Sequence, residues 1–203
     1  MAINWANRNI GHLIDHASKL RTAAEAADFL KEWRNSVDNP HPIAVLTSHL
    51  NYYATEYGLP NLNMWADALI LAFPIRLPTE QEIALGPTQD HQWGNDLKDI
   101  ADDMAAKAKT TGQQQRAEFN GRMLVADPGM SGADVAAPYF VLSAAAGLRH
   151  EVGRRITRRI EEAGETLLNA LEGMLTPFTS KRDEEKAREA AEAAIKKARG
   201  FDV

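Results

Sequence analysis

From Tyr139 to Leu175, apolar residues recur every three or four positions: Val141, Ala145, Leu148, Val152, Ile156, Ile160, Ala163, Leu167, Leu171 and Met174. At about 100° per residue they fall on one stripe of a helix roughly 50 Å long. A helix of that length needs several partners to cover its stripe, so the remaining chain is expected to clad it. The fold predicted from this spacing is all-α, a multi-helix bundle around one long central helix at about 139–175.

The segments before the stripe support cladding of this kind. Ile10, Leu13, Ile14, Ala17 and Leu20 give helical spacing over residues 3–20. Thr22 with Glu25 forms a capping box, in which each side chain satisfies an orphan backbone N–H, and opens a helix carrying Ala26, Leu30, Trp33 and Val37. Pro40 and Pro42 stop it, and Pro42 starts the next helix with Leu46, Leu50, Tyr53 and Tyr57 on its stripe, closed by Gly58. Asn61 or Asn63 caps a short helix through Met64, Trp65, Leu69 and Phe73, apolar on nearly every side and therefore expected to be buried. Thr79 with Glu82 makes a second capping box, and a short helix follows to Gly86. Residues 90–109 carry an amphipathic helix marked by Trp93, Leu97, Ile100, Met104 and Ala108. Residues 113–126 are also predicted helical, with Phe119 and Met123 inward. The turn-rich stretch Asp127–Gly132 then leads to Pro138 as the start of the long helix. Period-two alternation is too short to place a strand.

A helical domain over 1–176 is followed by a last helix at 180–200 of different character. Its stripe is Ala187, Ala191, Ala194 and Ala198, with Ile195 its only large apolar residue. This charged, Ala-rich C-terminal helix depends on intrinsic propensity and i,i+4 ion pairs. It is expected to project from the body or to sit at an oligomer contact.

Composition removes several function classes. The 203 residues contain no Cys, which excludes disulfides, thiolate metal sites and cysteine nucleophiles. A net charge of −5 argues against an electrostatic grip on nucleic acid by the whole chain. The longest apolar run, Ala68 to Pro74, is too short to span a bilayer, which needs about 20 residues. The first residues lack the basic and apolar regions of a secretory signal. No membrane association and a cytoplasmic location are the expectations.

Three clusters could carry chemistry. His12 and His16 lie four apart, which puts two imidazoles on one helical face as a metal site requires. Half-exposed polar flanks of an apolar stripe produce the same spacing. Asp96, Asp99 and Asp103 (with Asp102) lie on one predicted helix and could aim carboxylates at a divalent cation, although a solvated face accounts for them better. Arg154, Arg155 and Arg158 belong to the one dense basic cluster and could lie along phosphates. Glu151 and Glu162 share their faces and neutralise much of that charge.

The expectation from these patterns is a non-enzymatic helical interaction or structural protein that binds a protein partner or self-assembles, with a homo-oligomer as the expected partner state and no cofactor. The alternatives are a metal-dependent hydrolase acting on a phosphate-containing substrate, and a nucleic-acid binder through the Arg149–Arg159 helix.

Overall fold

The computed structural model describes residues 19–73, 75–88, 96–175 and 181–199; for 173–175 and 196–199 it describes the backbone alone. The predicted helix over 3–20, and with it His12 and His16, lies outside them up to residue 18. The chain is 73% helical, so the architecture is all-α in the main. It divides into two compact units, Met1–Glu151 and Val152–Val203.

In the first unit, α1 (Ala23–Ser36) opens on the Thr22/Glu25 capping box, with the Glu25 N–H donating to Thr22 Oγ1 at 3.2 Å. Backbone N–H donors of Arg21 and Thr22 converge on the Glu25 carboxylate and hold its pKa below the usual value. The face presenting Phe29, Leu30 and Trp33 is buried, chiefly against α3 (Leu62–Ala72). Phe29 meets Trp65 edge to face at 5.8 Å, a favoured arrangement of aromatic quadrupoles. Between them, α2 (Pro42–Glu56) begins with Pro42 in its first turn, where a missing N–H costs nothing. It is followed by Gly58 at φ 66°, the left-handed region that glycine enters without a Cβ penalty. Asn61 precedes α3 in a left-handed conformation and makes no side-chain cap. Burial of α3 is less complete than its composition predicts, because Ile70 and Leu71 are exposed.

After α4 (Glu80–Leu85), whose Thr79/Glu82 capping box is present, α5 (Leu97–Thr111) starts on Asp96, which accepts from the Lys98 N–H at 2.9 Å. Residues 113–126 are not the predicted helix. They form an antiparallel hairpin of β1 (Gln115–Phe119) and β2 (Arg122–Ala126), in register from Gln115–Ala126 to Phe119–Arg122. Asn120 at φ 48° and Gly121 at φ 73° make the two-residue turn. Two consecutive positive φ angles match the right-handed twist of the strands, and Asn-Gly is the dipeptide best suited to them. Both strands lie against α5, burying Ala117, Leu124 and Ala126 with Leu97, Ile100, Met104 and Ala108.

The long helix, α6 (Gly132–Leu175), begins six residues before the predicted start at Pro138, which lies inside it. Ser131 and Asp134 cap each other: the Asp134 N–H donates to Ser131 Oγ at 3.2 Å, and the Ser131 N–H donates to Asp134 Oδ2 at 3.0 Å. That satisfies the first turn without a proline. Gly132 is required where α6 meets α5, since a β-carbon there would overlap the Asp102 side chain and lie 2.8 Å from Asp102 Cα. The helix runs through Gly153 and Gly164. Up to Leu148 its stripe is covered: Val135, Val141, Ala145 and Leu148 are buried.

In the second unit, the C-terminal part of α6 pairs with α7 (Lys181–Arg199). Leu167 and Ala170 pack with Ala191 and Ala194, a core made almost wholly of methyl groups.

Candidate functional site

The acidic residues picked out on α5 are held apart. Asp96 is spent on the helix cap, Asp99 stands exposed in the first turn, and Asp103 pairs with Lys107 at 2.7 Å, four residues on. Among the described residues, no group of three or more His, Asp or Glu side chains is placed to hold a metal ion. Asp102 has a partner the sequence does not reveal: its Oδ2 lies 3.1 Å from Nε2 of His41, an imidazole only 4% exposed. The other ring nitrogen, Nδ1, is buried and has no hydrogen-bond partner among the described residues. A carboxylate–imidazole pair acts in nucleophilic catalysis when the second nitrogen faces a hydroxyl or thiol. Ser131, the hydroxyl in the adjoining loop, instead donates to Asp134 Oδ2 at 2.6 Å.

The densest polar cluster joins the 75–88 segment to the hairpin. Both terminal nitrogens of Arg76 donate to the Glu82 carboxylate, and its Nε donates to Asp127. The Gln114 amide nitrogen donates to Glu82 Oε1 at 2.6 Å and to Asp127 Oδ1 at 2.8 Å. Its oxygen accepts from Arg116 at 3.1 Å, and Arg116 Nε donates to the Gly86 carbonyl at 2.9 Å. Thr79 contributes its N–H and hydroxyl to Glu82. The Arg76 guanidinium, followed by the Thr79 N–H, pulls the Glu82 pKa down to about 2. At neutral pH this carboxylate therefore has no proton to give, and its oxygens are fully occupied. The cluster is suited to fastening a segment and poorly suited to turnover. Its capping-box half was visible in the sequence; Arg76, Gln114 and Asp127 carried no local signal.

A third grouping is aromatic. Trp33, His49 and Tyr53 stack with centroids about 6 Å apart, and Tyr52 and Tyr57 meet edge to face at 5.6 Å. Trp33 and Tyr53 are buried, whereas His49, Tyr52 and Tyr57 are exposed.

The second unit presents a different surface. Ile156, Ile160 and Leu171 are 49%, 57% and 47% exposed, although the periodicity predicts that their stripe is covered; Leu168, which lies outside that predicted stripe, is 56% exposed. On the same helix, Arg154 and Arg158 are exposed and Arg155 is partly buried. Because 100° separates consecutive residues, the three arginines fan around the helix over about 100° rather than lining one face. Glu161, Glu162 and Glu165 follow within two turns. A branched apolar stripe bordered by both signs of charge can bury area against another helix and orient it. No helix among the described residues is long and apolar enough to cross a membrane. Comparison with family models, with curated protein sequences and with solved structures gives no match to this chain.

Proposed function

We propose that the protein is a non-enzymatic helical interaction protein that works by presenting the apolar stripe of its second unit to another protein chain. The observation that carries this is the exposure of Ile156, Ile160, Leu168 and Leu171 on a pair of helices whose own core is Leu167, Ala170, Ala191 and Ala194. Two helices joined through so little apolar area draw modest stability from each other, because helical stability in proteins comes mainly from packing of the amphipathic face. Four large side chains at regular helical spacing are the hydrophobic half of such a packing surface.

Two features favour this reading over a metal-dependent hydrolase. The α5 carboxylates are divided among a cap, an ion pair and solvent, and the most depressed carboxylate, Glu82, lies inside a saturated network. A nucleic-acid role for Arg154, Arg155 and Arg158 has less support, since acidic residues follow them directly on the same helix.

The test is photo-crosslinking in cells from a reactive residue placed at position 160, with position 118 on the hairpin as a control. A discrete protein adduct from 160 that is absent from 118 is the expected result. Labelling from 160 no stronger than from 118 overturns the proposal. A panel of nucleoside triphosphates with Mg²⁺ or Mn²⁺ tests the hydrolase alternative directly.

A further inference from the structure

We propose that Asn120 is a site of spontaneous covalent modification, losing its side-chain amide through a cyclic imide closed by the peptide nitrogen of Gly121.

The chemistry starts from one dipeptide. Asparagine is among the chemically labile side chains, and Asn120 is the only asparagine of the sequence followed by glycine. The two residues form the exposed turn of the hairpin. The asparagine carbonyl carbon lies one five-membered ring away from the nitrogen of the next residue, and a side chain on that residue crowds the closure. Gly121 has none, and even a β-carbon there would meet nothing within 4 Å. Its nitrogen is also outside the ladder, because the closing pair of the hairpin is Phe119 with Arg122. Among the described residues it donates no hydrogen bond. The carbon to be attacked is open as well. Among the described residues, the Asn120 side chain is bound through its amide nitrogen, which donates to the Tyr139 hydroxyl at 3.2 Å.

The reaction balances with water as its one co-reactant. The Gly121 nitrogen bonds to Asn120 Cγ, the Cγ–Nδ2 bond breaks, and the peptide proton departs with the amide as ammonia. Water then opens the imide at either carbonyl, giving aspartate or isoaspartate. Ring closure needs rotation about the backbone of Asn120, which the paired strands and the Tyr139 contact resist. Tyr139 is itself held edge to face by Phe119 at 5.2 Å, with the Arg122 guanidinium 5.4 Å from its ring centre. Release of the amide from Tyr139 therefore gates the reaction.

The two products differ in consequence. Aspartate keeps the two-residue turn, since Asp-Gly also suits consecutive positive φ angles. Isoaspartate routes the main chain through Cβ and lengthens the loop, and loop length is what fixes the register of a hairpin. That register places Ala117 and Leu124 against α5, so isoaspartate acts on the core of the first unit from its surface.

Peptide mapping by mass spectrometry during incubation of the full chain at mildly alkaline pH tests the proposal. Enzymatic methylation of isoaspartyl groups is a second readout, and the chain unfolded in guanidinium is the reference. Both products at position 120 are expected in the folded protein, ahead of conversion at Asn35, Asn51, Asn61, Asn63 or Asn169. Tyr139→Phe keeps the ring and removes the acceptor. With far-UV circular dichroism unchanged, it should speed folded-state conversion by about two- to tenfold, the equivalent of one neutral hydrogen bond. In guanidinium the same variant should leave the rate unchanged, which separates release of the amide from the chemistry itself. Asn120 intact in the folded protein after the unfolded chain has converted overturns the proposal. Folded-state conversion indifferent to Tyr139→Phe overturns the gating.

Discussion

One helix carries the same pattern through two surroundings. Between Val135 and Leu148, Val135, Val141, Ala145 and Leu148 of α6 are buried; between Ile156 and Leu171, Ile156, Ile160 and Leu171 of the same stripe stand about half exposed, while Ala163 is buried and Leu167 packs against α7. The covered stretch lies in a unit with several further helices and a hairpin, and the uncovered one lies in a unit where α7 offers mainly alanine. Periodicity therefore marks which face of a helix is apolar. Whether that face is covered depends on the volume of side chain that other segments bring to it.

The two stretches should respond differently to substitution, and the largest difference is expected at Leu148. Leu148→Ala removes a fully buried side chain and should lower unfolding free energy by about 2–5 kcal/mol in denaturant titration. A loss below about 1 kcal/mol would mean the covered stretch is no better packed than the other.

Next is Glu82→Gln, which should cost about 1.5–3 kcal/mol by removing charge-assisted bonds from Arg76 and Gln114. Its pH dependence has a definite sign. The Glu82 pKa is about 2 when folded, below the ordinary glutamate value of 4.5, so the stabilisation is complete above 4.5 and is lost as pH falls through 2. The gap between wild type and variant should close across that window.

Gly132→Ala should cost about 1–3 kcal/mol, because the added carbon meets Asp102 backbone and overpacked contacts yield only by shifting. Gly153→Ala provides the counterpart beyond the boundary: with open space at that position, thermal unfolding should show stabilisation by about 0.5–1 kcal/mol from helix propensity alone. The smallest effect is expected for Ile156→Ala. With its side chain about half exposed, the variant should stay within about 0.5 kcal/mol of wild type, as for exposed sites generally. A larger loss would show that this stretch is covered from within the chain.

Much of the helical framework was legible because its signals are local. Thr22/Glu25 and Thr79/Glu82 declare helix starts within four residues, and Gly58, Gly86 and Gly112 mark stops. The hairpin resembles a helix in sequence because Phe119 and Met123 fall four apart, a helical spacing, while five-residue strands leave little room for alternation. The Asn120-Gly121 dipeptide between them was the stronger signal, since two consecutive positive φ angles suit a tight turn and no helix interior. Pro138 points to a start because proline favours first turns, yet Ser131 and Asp134 already cap the backbone six residues earlier in the helix. The clamp around Glu82 joins residues up to 51 apart in sequence, and His41 meets Asp102 across 61. No window of neighbouring residues encodes such pairings. The apolar stripe was visible residue by residue, and its exposure was not, for the reason that the two stretches of α6 make plain.

Among the described residues, the cluster beneath the hairpin draws its buried members from Leu97 to Ala136. Segments that meet across such short stretches of chain lose little configurational freedom in finding one another, so they tend to assemble early. Pulse-labelled hydrogen exchange during refolding should therefore find the amides of α5 and the hairpin shielded before those of α1 and α3. A nascent chain emerging from the ribosome would hold this small nucleus while the residues that follow it are still being made.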